Sequence, residues 1–261
     1  MIDKVKERAD HYFSKLVEIR KHLHQHPELS FEENKTADFV FSTLKSVGLH
    51  PERMAKTGVV AMINDGHSGP VIALRADLDA LPIQEMNDVT YKSLNNGVMH
   101  ACGHDVHTTS LLGAAMILND LKADLSGSIK FIFQPGEEKL PGGASIMIKE
   151  GVLEKPKPAS IVGQHVFPEL EVGKVGFRSG MYMASCDEIH ITVKGKGGHG
   201  AMPHLAIDPV LISSHLVIAL QQVVSRKSNP LIPSVLSIGK FIANGATNVI
   251  PDQAKLEGTF R

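Results

Sequence analysis

Two cysteines, Cys102 and Cys186, are too few for a disulfide framework and fit a reducing compartment. No stretch of apolar residues reaches the length that spans a bilayer. The opening residues, Met1-Ile2-Asp3-Lys4-Val5-Lys6-Glu7-Arg8, are charged and amphipathic where a signal peptide would be apolar, so the cytoplasm is the expected location. A formal net charge of −1 offers no footprint for nucleic acid or for an anionic membrane surface. Neither a Gly-x-Ser-x-Gly elbow nor a His-Glu-x-x-His helix occurs, which argues against serine hydrolase chemistry and against the single-helix zinc site. Internal repeats and low-complexity linkers are also missing. What remains is a chain of 261 residues, long enough for one large core or for two domains.

The chemistry concentrates in Met99-His100-Ala101-Cys102-Gly103-His104-Asp105-Val106-His107. A lone Cys is usually a small buried hydrophobe and a lone His a satisfied core residue. Three His, one Cys and one Asp packed this closely read instead as a metal site. Gly103 lets the backbone bend so that Cys102 and His104 can turn toward one ion. Asp105 stands where a helix would begin, so it either caps that helix or orients His104 through its second nitrogen.

Helices and strands alternate along the chain. Val5, Ala9, Tyr12, Phe13, Leu16, Ile19 and Leu23 recur at helical spacing until His26-Pro27 stops the run. Ser30-Phe31-Glu32-Glu33 has the form of a capping box and predicts a second helix, carrying Ala37, Val40, Leu44 and Val47 to a stop at Gly48. Short branched runs at 59–63, 71–75, 129–133 and 161–163 predict strands, and 111–121 and 144–149 predict helices. That order predicts an α/β fold, a helix-covered and mostly parallel sheet.

Catalytic groups in such sheets collect where strands end. Three strand ends carry suitable residues: Asp77 and Asp79 within 74–82, Glu137 and Glu138 after Phe133-Gln134-Pro135-Gly136, and His165 within 163–168. Adjacent glutamates in extended backbone point to opposite sides, so one can bind metal while its neighbour moves protons. A solvated acidic turn is the alternative, but Pro141-Gly142-Gly143-Ala144 suits a close backbone approach before a helix. Asp77 and Asp79 are candidates to support a His ligand.

Together with Gly197-Gly198-His199 and Pro203-His204, these segments resemble, in order, the aminoacylase, hippurate hydrolase and auxin-conjugate hydrolase group of metal-dependent amidohydrolases. The resemblance runs from about the second helix to the last residue. It implies a two-metal catalytic domain, here 1–181, interrupted by a smaller α+β lid and dimerisation domain, here 182–261. It implies Cys102, His104, Glu138 and His165 as metal ligands, Glu137 as general base, and His199 as the oxyanion-stabilising residue that reaches the partner subunit's site in a homodimer. Asp77 and Asp105 fall in supporting positions, and Asn248 and Arg261 resemble residues that contact substrate. The implied reaction is hydrolysis of the amide in an N-acyl amino acid or a similar conjugate: acetylated amino acids, N-acetyl-diaminopimelate, hippurate and auxin conjugates all suit it. The ligand set accepts Zn, Mn, Co or Ni.

Relatives in that group continue past the point corresponding to Arg261 with further strands and one more His ligand, so the chain reads as C-terminally incomplete. A catalytically incomplete metal-binding or assembly protein is therefore the alternative function. From about Tyr182, strands are predicted at 188–193, 234–241 and 254–260 with a helix at 209–224. Gly195-Lys196-Gly197-Gly198-His199-Gly200 matches the dinucleotide fingerprint formally, but no acid lies between Asp208 and Asp252 to bind the ribose.

Overall fold

The structure is a computed structural model that describes every residue except Ala184. The chain folds as two compact units, Met1–Glu171 and Val172–Arg261. The division falls ahead of the boundary expected near Tyr182. The described residues between the division and the next strand form turns and irregular backbone, so the sequence pattern registers the second unit only where that strand starts.

In the first unit, α1 (Ile2–Gln25) turns Ile19 and Leu23 into the core and packs along α3 (His104–Asp120). Helix α2 (Asn34–Ser46) buries Ala37, Val40 and Leu44 on one face. The capping box expected at its start does not form. Ser30 and Glu33 have distant partners instead, and the cap is supplied from outside by Glu28, whose carboxylate accepts from Lys35 N at 3.2 Å and Thr36 N at 2.8 Å. An acceptor at a helix N-terminus is needed, but any carboxylate in reach can provide it.

Strands β1 (Glu52–Met54), β2 (Gly58–Ile63), β3 (Val71–Asp77), β4 (Ser128–Gln134) and β5 (Ser160–Gly163) form one sheet in the order β1-β2-β4-β3-β5. β3 is parallel to both β4 and β5, while β2 is antiparallel to both its neighbours, so four strands run one way and only β2 is reversed. β1 escapes sequence reading because three residues cannot display an alternation. Phe131 and Phe133 of β4 point to the face covered by α1, α2 and α3. Ile132 points to the other face, against Met147 of α4 (Gly143–Lys149). The parallel register pairs Asp77 with Gln134 and Arg75 with Gly163, so the loops leaving β3, β4 and β5 emerge along one edge, and α3 begins there too.

In the second unit, β6 (Asp187–Lys194), β8 (Leu236–Ile242) and β10 (Gln253–Phe260) form an antiparallel sheet in the order β6-β10-β8. β7 (Gly198–His199) pairs with β9 (Val249–Ile250). Helix α5 (Pro209–Gln222) starts with proline in its first turn and is capped by Asp208, which accepts from Val210 N at 2.8 Å and Leu211 N at 3.2 Å. It packs on the three-stranded sheet and ends in a π-helical turn, Val223–Lys227. Among the described residues no helix is long and apolar enough to cross a membrane.

Leu112 is fully buried where α3 meets the sheet. Leu112→Ala is expected to lower unfolding free energy by about 3 kcal/mol, through lost burial and the residual cavity. A urea titration that moves by less than about 1 kcal/mol would show that the core closes over the gap.

Candidate metal centre

The site assembles at the edge where β3, β4 and β5 end. Gly103 precedes α3 in the left-handed region at φ 87°, and a Cβ there would run into the Val166 side chain. That turn sends Cys102 and His104 in usable directions. Cys102 Sγ lies 3.4 Å from His165 Nε2. His104 Nε2 lies 3.8 Å from Glu138 Oε1 and 4.0 Å from Glu137 Oε2. Cys102, His104, Glu137, Glu138 and His165 therefore converge, with His104 common to the thiolate and carboxylate sides.

Hydrogen bonds decide which nitrogens are available. His104 Nδ1 sits 2.9 Å from the Asp79 carbonyl and His165 Nδ1 sits 2.8 Å from the Val166 carbonyl. A carbonyl only accepts, so both Nδ1 atoms donate and both Nε2 atoms face the cluster. His107, on the same helix, differs. Its Nδ1 donates to Asp77 Oδ1 at 2.6 Å and its Nε2 accepts from Val166 N at 3.0 Å, which leaves it no lone pair for an ion. It ties β3 and the His165 loop together. Spacing alone could not separate His104 from His107, because both lie on one helix face.

Asp77 is 1 % exposed and hydrogen-bonded on both oxygens, to His107 and, at 2.6 Å, to Arg75. Burial favours its neutral form, but the His107 bond and the Arg75 charge prevail and hold its carboxyl well below the usual carboxylate range. Asp105 does not serve His104 and does not cap α3. Its carboxylate turns to α1, where it meets His24 Nδ1 at 2.7 Å and Arg20 Nε at 3.0 Å, and His24 Nε2 continues to Glu85 at 3.1 Å. The expected orienting role falls to Asp79, two residues beyond β3, whose Oδ2 also accepts from Ser30 Oγ at 2.6 Å and Glu138 N at 2.9 Å.

Of the buried side-chain atoms without a hydrogen-bond partner among the described residues, two belong to this cluster: His104 Nε2 and Glu138 Oε1. A ring nitrogen and a carboxylate oxygen facing each other across 3.8 Å, with a sulfur and a second imidazole beside them, suit a divalent ion at ordinary bond lengths once that nitrogen gives up its proton. The protonation pattern agrees. Burial works against an imidazolium at His104, yet its bond to Asp79, the Cys102 sulfur and the Asp77 charge prevail and push its pKa up to about 11. Burial and the neighbouring Glu138 raise Glu137 above the ordinary carboxylate value, against the pull of His104.

His199 and Asn248 lie together in the second unit, across the β7–β9 pair. Gly200 N donates to the Asn248 carbonyl at 2.7 Å. His199 Nδ1 accepts from Ala201 N at 3.1 Å, so its exposed Nε2 carries the proton. Arg261 continues the β10–β8 pairing through reciprocal backbone bonds with Val235, and its side chain is exposed. The glycine fingerprint has no phosphate-binding geometry, since α5 begins only at Pro209 and Gly197 N is bound to Asp252 Oδ1.

Residues 73–250 match the sequence profile of peptidase family M20/M25/M40. The chain is 47 % identical over 260 residues to the N-acyl-L-amino acid amidohydrolase of Geobacillus stearothermophilus, covering 99 % of this chain and 70 % of that protein. A solved structure described as an aminohydrolase of methicillin resistant Staphylococcus aureus is similar at a TM-score of 0.84 and 41 % identity, covering 100 % of this chain and 69 % of that one. A dinuclear metal binding peptidase of the M20 family from Bacillus subtilis is similar at a TM-score of 0.72 and 40 % identity, covering 97 % of this chain and 65 % of that one. The chain spans about two thirds of the length of these relatives.

An ion at His104 Nε2 has to displace the proton held there below about pH 11. Divalent metal binding at pH 7 is therefore expected to release a proton, and affinity should rise with pH by up to about tenfold per unit. Calorimetry in buffers of different ionisation enthalpy measures this; binding without proton release would place the ion away from His104.

Proposed function

The chain belongs to peptidase family M20/M25/M40, and from that premise we propose that it hydrolyses the amide bond of N-acyl amino acids or related small conjugates using two divalent metal ions. The family name and the amidohydrolase relative both describe hydrolysis at a C–N amide bond. The observation that carries the reading is the pair of buried, unpartnered ligand atoms, His104 Nε2 and Glu138 Oε1, beside Cys102 and His165. These four residues would hold the metals. Bound divalent ions supply a Lewis acid for the scissile carbonyl and make water a nucleophile near neutral pH.

The remaining work belongs to the chain's own groups. Glu137 adjoins Glu138 but is itself half-exposed, so it can face a water and a substrate while its neighbour faces His104. Its raised pKa suits a group that takes a proton from water and returns it to the departing amine. Asp77 and Arg75 keep fixed charge close to that exchange. His199 Nε2–H is the donor for the developing oxyanion, delivered from the partner subunit of a homodimer. Asn248 and Arg261 contact the substrate, the guanidinium pairing with its carboxylate. We place the enzyme in the cytoplasm, where a thiolate ligand stays reduced.

Glu137→Gln removes the proton-transfer group and leaves the four ligands in place. Turnover of N-acyl amino acids is expected to fall by roughly 10²–10⁴-fold with metal content unchanged. Equal turnover in the variant would sink the assignment of the base, and metal binding without turnover in both proteins would favour a binding-only role.

A further inference from the structure

Glu33 is fully buried and does not cap its own helix. Its carboxylate reaches across to the turn after β4, where Oε1 accepts from Gly136 N at 2.7 Å, while Oε2 accepts from Thr57 Oγ1 at 2.7 Å. Gly136 opens the turn that carries Glu137 and Glu138. Its φ is 54°, and a Cβ there would lie 2.5 Å from the Phe31 ring. The far side of the same turn is closed by Gly143 N donating to the Gly136 carbonyl at 2.9 Å. Glu138 N is held by Asp79 Oδ2, which in turn is held by Ser30. Glu137 thus sits between two backbone amides, each fixed by a buried carboxylate oxygen, and both carboxylates are supported from the segment that enters α2.

We infer that Glu33 is a positioning residue for Glu137: its carboxylate spans from Thr57 to Gly136 and sets the backbone from which the base projects. The inference rests on the reading of Glu137 as the proton-transfer group. A buried carboxylate is costly to desolvate, and an apolar residue would fill the same space without that cost. What an apolar residue cannot do is accept the Gly136 amide while Pro135 and Phe31 confine the turn. The requirement is for two acceptor or donor atoms at the right span, with charge secondary. A Gln side chain meets it, because its carbonyl can accept from Gly136 N while the Thr57 hydroxyl reverses to accept from its amide. An Asp side chain, one methylene shorter, keeps the charge and loses the span.

The test compares Glu33→Asp and Glu33→Gln with the unaltered chain by site-resolved amide hydrogen exchange, metal content and steady-state kinetics. In Glu33→Asp, Gly136 N is expected to exchange roughly tenfold to a hundredfold faster, as loss of a charge-assisted bond allows, with the β2–β4 amides unchanged. Metal content should hold, KM should change little, and kcat should fall roughly tenfold or more, the penalty of a misplaced base. Glu33→Gln should stay within about threefold of the unaltered chain in both readouts. Unchanged Gly136 exchange in Glu33→Asp overturns the inference. So does a Gln variant that loosens the turn while the Asp variant does not, because charge would then be the requirement. Faster exchange across the whole β2–β4 ladder with loss of metal also overturns it, marking a general role in the fold. If Glu137→Gln retains turnover, the reading of the base fails, and Gly136 exchange still decides whether Glu33 holds the turn.

Discussion

Asp79 is the point on which the arrangement of the site depends. The sheet brings the ends of β3 and β4 side by side, but parallel strands leave their loops free to diverge. Asp79 removes that freedom. Its carbonyl takes the His104 Nδ1 proton at 2.9 Å, and its Oδ2 takes the Glu138 amide at 2.9 Å and the Ser30 hydroxyl at 2.6 Å. One residue thereby sets the distance between an imidazole on α3 and a carboxylate beyond β4. Because Asp79 is itself 1 % exposed, these bonds act in a medium where each is strong and where an unpaired oxygen would be costly. Burial alone would raise its pKa; the bonds to His104, Ser30 and the glutamate amides hold it down, so it remains an acceptor.

The histidines around this point have different tasks, decided by what each ring nitrogen faces. His104 and His165 spend Nδ1 on backbone carbonyls and leave Nε2 facing the cluster. His107 spends both nitrogens, on Asp77 and on Val166 N, and so ties two strand ends together. His24 lies between Asp105 and Glu85, whose bonds raise its pKa against the effect of burial and join α1 to α3 and to the loop before the cluster. A site with several nearby imidazoles becomes selective in this way without any difference in residue type.

This division also explains what was legible in the sequence. Longer elements were visible because their burial is periodic: Ile19 and Leu23 in α1, Phe131 and Phe133 in β4. The convergence of Cys102, His104, Glu137, Glu138 and His165 followed from strand ends lying on one edge. The misreadings share one cause. Ser30-Phe31-Glu32-Glu33 and Asp105 both looked like helix starts, because local spacing reports only local partners. Ser30 bonds to Asp79 and Glu33 to Gly136, and Asp105 bonds to His24 and Arg20. Such long-range partners leave no periodic trace. A hint existed in the chemistry, since two consecutive glutamates before an apolar helix are more acid than one cap requires.

Charge supplies the last constraint. Asp77, Asp79, Glu137 and Glu138 bring four carboxyl groups to one strand edge, and the cations beside them are Arg75 and the His104 imidazolium. Arg75 is committed to Asp77 and to Gln134, so His104 is the group that answers the others. A proton on His104 relieves the repulsion only in part, as Glu138 still raises Glu137. A divalent ion at this edge would bring twice the charge. The acidity of the edge and the proton affinity of His104 are thus two expressions of one property. The fold has gathered carboxylates whose mutual repulsion a cation offsets, and the imidazolium is the cation the chain itself can provide.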